Sequence, residues 1–161
     1  MPTPKLQPSR AIIAHKSDNA DIAYPNQNAA GTNTSVVAFK LINSFAKYVT
    51  KNIKTGDVVH NDVAGTAATV VSVQSETELT LNANIFTSTG QGYAIYAMSP
   101  QTSLGNQGCV LYVGTGGNVR VTTSGNDILT FINVQDGTFF PINVIKLWSS
   151  GTTATNIIGL W

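Results

Sequence analysis

Turn residues interrupt this chain so often that no long regular element fits between them. Short runs rich in Val, Ile, Thr, Tyr and Phe alternate with Gly, Asn, Asp and Ser clusters along most of its length. Such runs read as strands when apolar and polar residues alternate, and the clusters between them read as turns. Strands are expected at residues 11–14, 35–42, 45–49, 57–60, 68–74, 78–81, 93–96, 109–113, 118–123, 127–132, 142–148 and 156–161. Residues 45–49 also fit an amphipathic helix through Phe45, Val49 and Ile53, but Thr and Val content favours strand. Residues 17–34 and 99–108 read as connectors. Gly116-Gly117 and Gly125-Asn126 read as tight hairpin turns, and Ser75-Glu76-Thr77 as the tip of a further hairpin. No βαβ pattern appears. The expectation is an all-β protein, a sandwich or barrel.

The core such a fold needs is available. Hydrophobic residues make up 42% of the 161 positions, enough to support one domain or two small lobes without disulfides or metals. Charged residues are only 11%, against about 25% in an ordinary soluble chain, and Ser, Thr, Asn and Gly take their place. The net charge of +1 and the spacing of Lys40, Lys47, Lys51 and Lys54 argue against nucleic acid, whose phosphates require clustered cations. No apolar run approaches a membrane span. The first ten residues lack the apolar segment of a signal peptide, so synthesis in a cytoplasm is expected.

A search for reactive groups finds little. The single cysteine, Cys109, sits in the apolar run Cys109-Val110-Leu111-Tyr112-Val113 and is expected to be a buried, inert thiol. The two histidines are His15 and His60. His60 has Asp57 and Asp62 nearby and would share a strand face with Asp62, but a solvated turn pair is the expected arrangement. Gly114-Thr115-Gly116-Gly117-Asn118 resembles a phosphate loop only in its glycines and leads into β formers rather than a helix. The acidic residues are scattered, without the spacing of a calcium loop. Glu76 and Glu78, the only close glutamates, flank a turn. No cofactor, metal or catalytic residue is assigned, and the chain is expected not to be an enzyme.

The last third of the chain carries a pattern. Leu111-Tyr-Val-Gly-Thr-Gly-Gly-Asn-Val-Arg-Val-Thr-Thr123 is followed by Leu129-Thr-Phe-Ile-Asn-Val134, Phe140-Pro-Ile-Asn-Val-Ile-Lys146 and Gly151-Thr-Thr-Ala-Thr-Asn-Ile-Ile-Gly-Leu-Trp161. It resembles the head-spike base proteins of tailed phages and phage-like gene transfer agents. In that family a Ser-Asp-x-x-Asp segment precedes the Leu-Tyr-Val-Gly strand, and Ser17-Asp18-Asn19-Ala20-Asp21 fits that place. The resemblance covers residues 11–23 and 109–161. Residues 24–108 intervene and are similar to segments of other phage structural proteins through Lys54-Thr-Gly-Asp-Val-Val59, Ala67-Ala-Thr-Val-Val-Ser-Val73 and Leu79-Thr-Leu81.

The resemblance implies a jelly-roll-like β-sandwich core built from residues 11–23 and 109–161, with residues 24–108 as an inserted β lobe. Residues 1–10, which hold Pro2, Pro4 and Pro8, form an extended arm ahead of it. It further implies a virion structural protein on a capsid surface, as head-spike base or decoration protein. Its partners would be copies of itself, the major capsid protein or other virion proteins, and a fibre protein. Contact residues are expected at Pro2, Pro4 and Pro8 of the arm and at Trp148, Ile157, Ile158, Leu160 and Trp161, since extended arms and apolar strands can add to a neighbour's sheet. Two alternatives remain: a tail component, or a lectin-like module that binds host glycans through rings such as Tyr93, Tyr96 or Trp148.

Overall fold

The computed structural model describes residues 8–98 and 106–161, and within them it is all-β. Thirteen strands follow in order: β1 (Ala11–Ile13), β2 (Gln27–Thr32), β3 (Lys40–Ile42), β4 (Val58–Asn61), β5 (Thr66–Val73), β6 (Glu78–Leu81), β7 (Gly92–Tyr96), β8 (Val110–Thr115), β9 (Gly117–Thr123), β10 (Ile128–Val134), β11 (Thr138–Phe139), β12 (Val144–Leu147) and β13 (Thr155–Leu160). All the strand pairings are antiparallel.

Two sheets enclose the first core. One has the order β1-β13-β8-β11 and the other β10-β9-β12. Alternation turns Leu111, Val113, Val119, Val121 and Ile157 inward, and an irregularity in β12 brings both Val144 and Leu147 to the same side; all pack with Cys109 and Phe140 in one cluster. This is a β-sandwich in which strands of both sheets share a dry interior. β13 lies between β1 and β8, and its backbone is paired on both sides. The carbonyl of Trp161 also accepts from the N–H groups of Ser9 and Arg10.

The second core belongs to a six-stranded sheet of order β2-β7-β4-β5-β6-β3. Beyond β2, Ser35 bridges Ile42 of β3, so the two edges of this sheet meet and it curls around its own side chains. Leu41, Val59, Val70, Leu79, Leu81, Phe86 and Ile95 fill the interior with Tyr48 and Tyr93. The two tyrosines bring polar atoms into it, and these are paired. Tyr48 donates its hydroxyl to Tyr93 Oη at 3.0 Å, and Asn43 Nδ2 donates to the same oxygen at 2.9 Å. Gly31 passes directly over this group, and a Cβ there would fall 2.9 Å from the Tyr93 oxygen.

Several expectations are corrected. The connector expected at 17–34 contains β2, whose Gln-Asn-Ala-Ala-Gly-Thr sequence lacks β-branched residues until its last position. It is a strand because β7 offers it a partner edge. The strand expected at 35–42 is reduced to Lys40–Ile42, because Phe39 adopts φ 60° and Lys40 N–H bonds back to Val37. Residues 45–49 form turns, not a strand. Tyr48 plugs the core while Phe45 stands 86% exposed, and Asn52 closes the turn at φ 57°. Gly116-Gly117 is no hairpin. β8 and β9 belong to different sheets, and the chain crosses between them there, so tightly that a Cβ on Gly116 would lie 2.2 Å from the Val134 carbonyl oxygen.

Candidate functional site

The joint between the two sheet systems is built by residues 12–23. Ser17 donates its hydroxyl to the Ala67 carbonyl at 2.7 Å and accepts from the N–H groups of Asn19 and Ala20 at 3.1 Å. The Asp18 carboxylate accepts from the N–H and hydroxyl of Ser150, both at 2.9 Å, and these bonds hold its pKa below the ordinary range. Asn82 Nδ2 donates to the Asn19 carbonyl. The Ser-Asp-Asn-Ala-Asp segment is thus a clasp, with Ser17 and Asn19 bonding to the curled sheet and Asp18 to the sandwich. Beneath it Ala20, Ala23, Val58 and Ala67 form a small apolar cluster.

Both histidines lie in the same joint. His60, on β4, is 3% exposed and stacks on His15, with centroids 4.1 Å apart and planes 18° from parallel. Tyr96 of β7 covers another side of His60 at 4.8 Å. The solvated His60–Asp62 pair expected from the sequence is therefore corrected: strand alternation carries the imidazole into the joint, and only Asp62 stays at the surface. Burial lowers the pKa of His15 and takes that of His60 down to about 3, the charge of His15 adding to the second shift. His15 Nδ1 is buried without a hydrogen-bond partner. Donor atoms of His15, His60 and Asp62 lie within 4.8 Å of one another. Nearly parallel rings, however, direct their in-plane lone pairs side by side, not at one point. Zinc, with nitrogen bonds of about 2.0–2.1 Å, would require the stack to open.

A different surface stands out on the sandwich. β10 is an edge strand, bonded to β9 alone, and its sequence Ile-Leu-Thr-Phe-Ile-Asn-Val carries no charge. Ile128 is 56% exposed and Ile132 63%. At the start of the strand Asn126 turns the chain at φ 68°, and Thr123 N–H bonds to the Asp127 carbonyl. At its far end a bulge between Phe131 and Val134 and Asn133 at φ 53° lead toward β11. There Phe139 is exposed beside Tyr112, and a groove of about 210 Å³ opens between Phe131, Val134, Phe139 and Phe140. Proteins normally protect a free strand edge with charge, proline or a covering loop. Among the described residues no other segment bonds to the outer edge of β10. A second group of exposed apolar side chains, Val36, Val37, Phe45 and Val49, sits on turns of the curled sheet, where Thr34 and Ser44 hold neighbouring turns together.

The expected contact residues fall in several places. Pro2 and Pro4 lie outside the described residues, and Pro8 is exposed. Ile157 is 3% exposed inside the sandwich core. Ile158 and Leu160 are half-buried in β13, and Trp161 packs edge-on against Tyr24. Trp148 is half-buried. Its Nε1 donates to Thr122 Oγ1 at 2.9 Å, and Arg120 and Lys146 lie 4.7 and 4.3 Å from its ring centroid. None of these side chains belongs to the open β10 edge. The signal for that edge was in the sequence, since residues 127–132 read as a strand whose two faces are both apolar. One chain's sandwich can bury only one of them.

Cys109 is buried, and its surroundings push the thiol pKa up to about 12. Glu76 accepts from Thr50, and Glu78 pairs with Lys40, so each glutamate has its own partner. Compared with family models, curated proteins and solved structures, the chain finds no match.

Proposed function

We propose that this chain is a structural docking module of a virus particle, a head-spike base or decoration protein on the capsid surface of a tailed phage, and not an enzyme. The observation that carries the reading is the uncharged, open β10 edge with Ile128, Ile132 and Phe139 in water. An apolar strand edge of this kind is a surface for another protein. Val36, Val37, Phe45 and Val49 on turns of the other sheet system are exposed as well. The resemblance of residues 111–123 and 151–161 to head-spike base proteins supplies the assignment to a particle. Copies of itself, the major capsid protein and a fibre protein are the partners.

A glycan-binding role has less support. Cations already occupy Trp148, and Tyr93 is 2% exposed within the core. The test is density-gradient fractionation of particles released by the source culture, with the chain followed by mass spectrometry. Co-sedimentation with capsid-sized particles at fixed stoichiometry is expected. Recovery only among free proteins overturns the reading.

A further inference from the structure

The geometry points to a second copy of this chain as the occupant of the β10 edge, paired antiparallel about a two-fold axis through Thr130; the inference rests on the docking reading above and names one of its partners.

The register follows from the ladder on the inner side. Thr123 N–H bonds to the Asp127 carbonyl, which makes that pair a hydrogen-bonded one. Antiparallel pairs alternate between bonded and non-bonded positions. The next bonded pairs toward β9 are therefore Leu129 with Val121 and Phe131 with Val119, at the registered positions. The N–H and C=O groups of Ile128, Thr130 and Ile132 then point away from β9, to the open edge. A second β10 running antiparallel satisfies all three positions when Thr130 faces Thr130 and Ile128 faces Ile132 of the other copy. Any shift by one residue would set bonded positions against non-bonded ones.

The side chains agree with this register. Ile128, Thr130 and Ile132 share the exposed face of the strand, so the pairing gathers four isoleucines around two threonines at the axis. Leu129 and Phe131 meet across the axis on the opposite face. With no charge between Ile128 and Val134, no like charges oppose each other. Asp127 faces Asn133 of the other copy. The product is one continuous sheet, β12-β9-β10-β10-β9-β12, closed by a single two-fold, the commonest symmetry of soluble oligomers. An identical copy is the partner that meets this edge with the same alternation and the same uncharged strand.

The experiment is light scattering after size exclusion on the full chain over a range of concentrations, with Thr130→Lys, Thr130→Asp and their mixture. Thr130 is exposed and its backbone bonds are not part of the β9 ladder, so the variants keep the fold, which their circular dichroism and melting curves check. The wild type is expected to be a dimer. Each variant alone sets like charges together at the axis and should weaken the dimer by on the order of a hundredfold or more. Mixing the two should restore it. A wild type that stays monomeric, or an oligomer unaffected by either variant, overturns the pairing. Should either variant lose its fold, Ile132→Lys serves in its place, with the same dissociation expected and the same meaning if it is absent. A monomer that still co-sediments with particles overturns the self-pairing alone and gives the edge to another virion protein. A dimer found only among free proteins overturns the particle assignment alone.

Discussion

The imidazole of His15 lies flat on that of His60, 4.1 Å away and 18° from parallel, at the seam where the sandwich meets the curled sheet. Neither ring has a carboxylate within ion-pair distance among the described residues, so a proton on one would be held next to its neighbour in a buried place. Both pKa values are lowered, chiefly by burial. The unfolded chain, with imidazoles near pH 6.5, therefore binds more protons than the folded one at mildly acid pH. Stability is whole above about pH 6.5 and falls as pH drops toward the folded value of about 3 for His60. By the lower end of that window His60 alone costs roughly 3–5 kcal/mol. Asp62, whose carboxyl is raised by its partial burial, acts weakly in the opposite sense. Urea unfolding at pH 7.5, 6 and 4.5 should show the decline, and His60→Leu should flatten it. An equally steep decline in the variant would assign the acid sensitivity elsewhere.

The hydroxyl of Tyr93 receives two donors, Tyr48 and Asn43. Tyr93→Phe leaves both buried donors without an acceptor and should cost about 2–4 kcal/mol. Tyr48→Phe removes one donor and leaves Tyr93 still bonded to Asn43, so about 1 kcal/mol is expected. Chemical denaturation of the two variants would test the order, and equal losses would contradict the shared-acceptor arrangement.

Ser17 fastens the joint through three bonds. Ser17→Ala should lower stability by about 1–2 kcal/mol. Because the Ala67 bond joins the two sheet systems and the other two brace the turn that makes it, hydrogen exchange should quicken at the Asn19 and Ala20 amides, which lose their acceptor, before it changes in the strands of either core. Uniform acceleration would argue against a local clasp.

Cys109, held neutral by burial, should resist iodoacetamide at pH 8 in the folded protein and react fully in denaturant. Modification of the native chain within minutes would show the sandwich core opening.

The strands that carry β-branched and aromatic residues in a clear pattern were legible: β5, β6, β8, β9 and β13 lie where their composition put them. Cys109 was legible as a core thiol for the same reason. β2 was not, because Ala29, Ala30 and Gly31 have no strand preference of their own, and only the offered edge of β7 makes them extended. Tyr48 was misread because its turn obeys neither a period of two nor one of 3.6. What links segments distant in sequence was hidden as well. Nothing local to His15 announces His60, and nothing local to Gly116 announces that the chain changes sheets there.

The place of β13 between β1 and β8 also sets an order of events during synthesis. The curled sheet draws on residues 27–96 alone, a continuous stretch whose strands can meet as soon as it leaves the ribosome. The sandwich cannot close until residues 155–160 emerge to fill the gap at its centre. Until then β1 and β8 wait with open edges, while the strands of the curled sheet, which lie between them in sequence, are all available to pair. A ribosome stalled before residue 155 should therefore display a protease-resistant middle and a cleavable remainder.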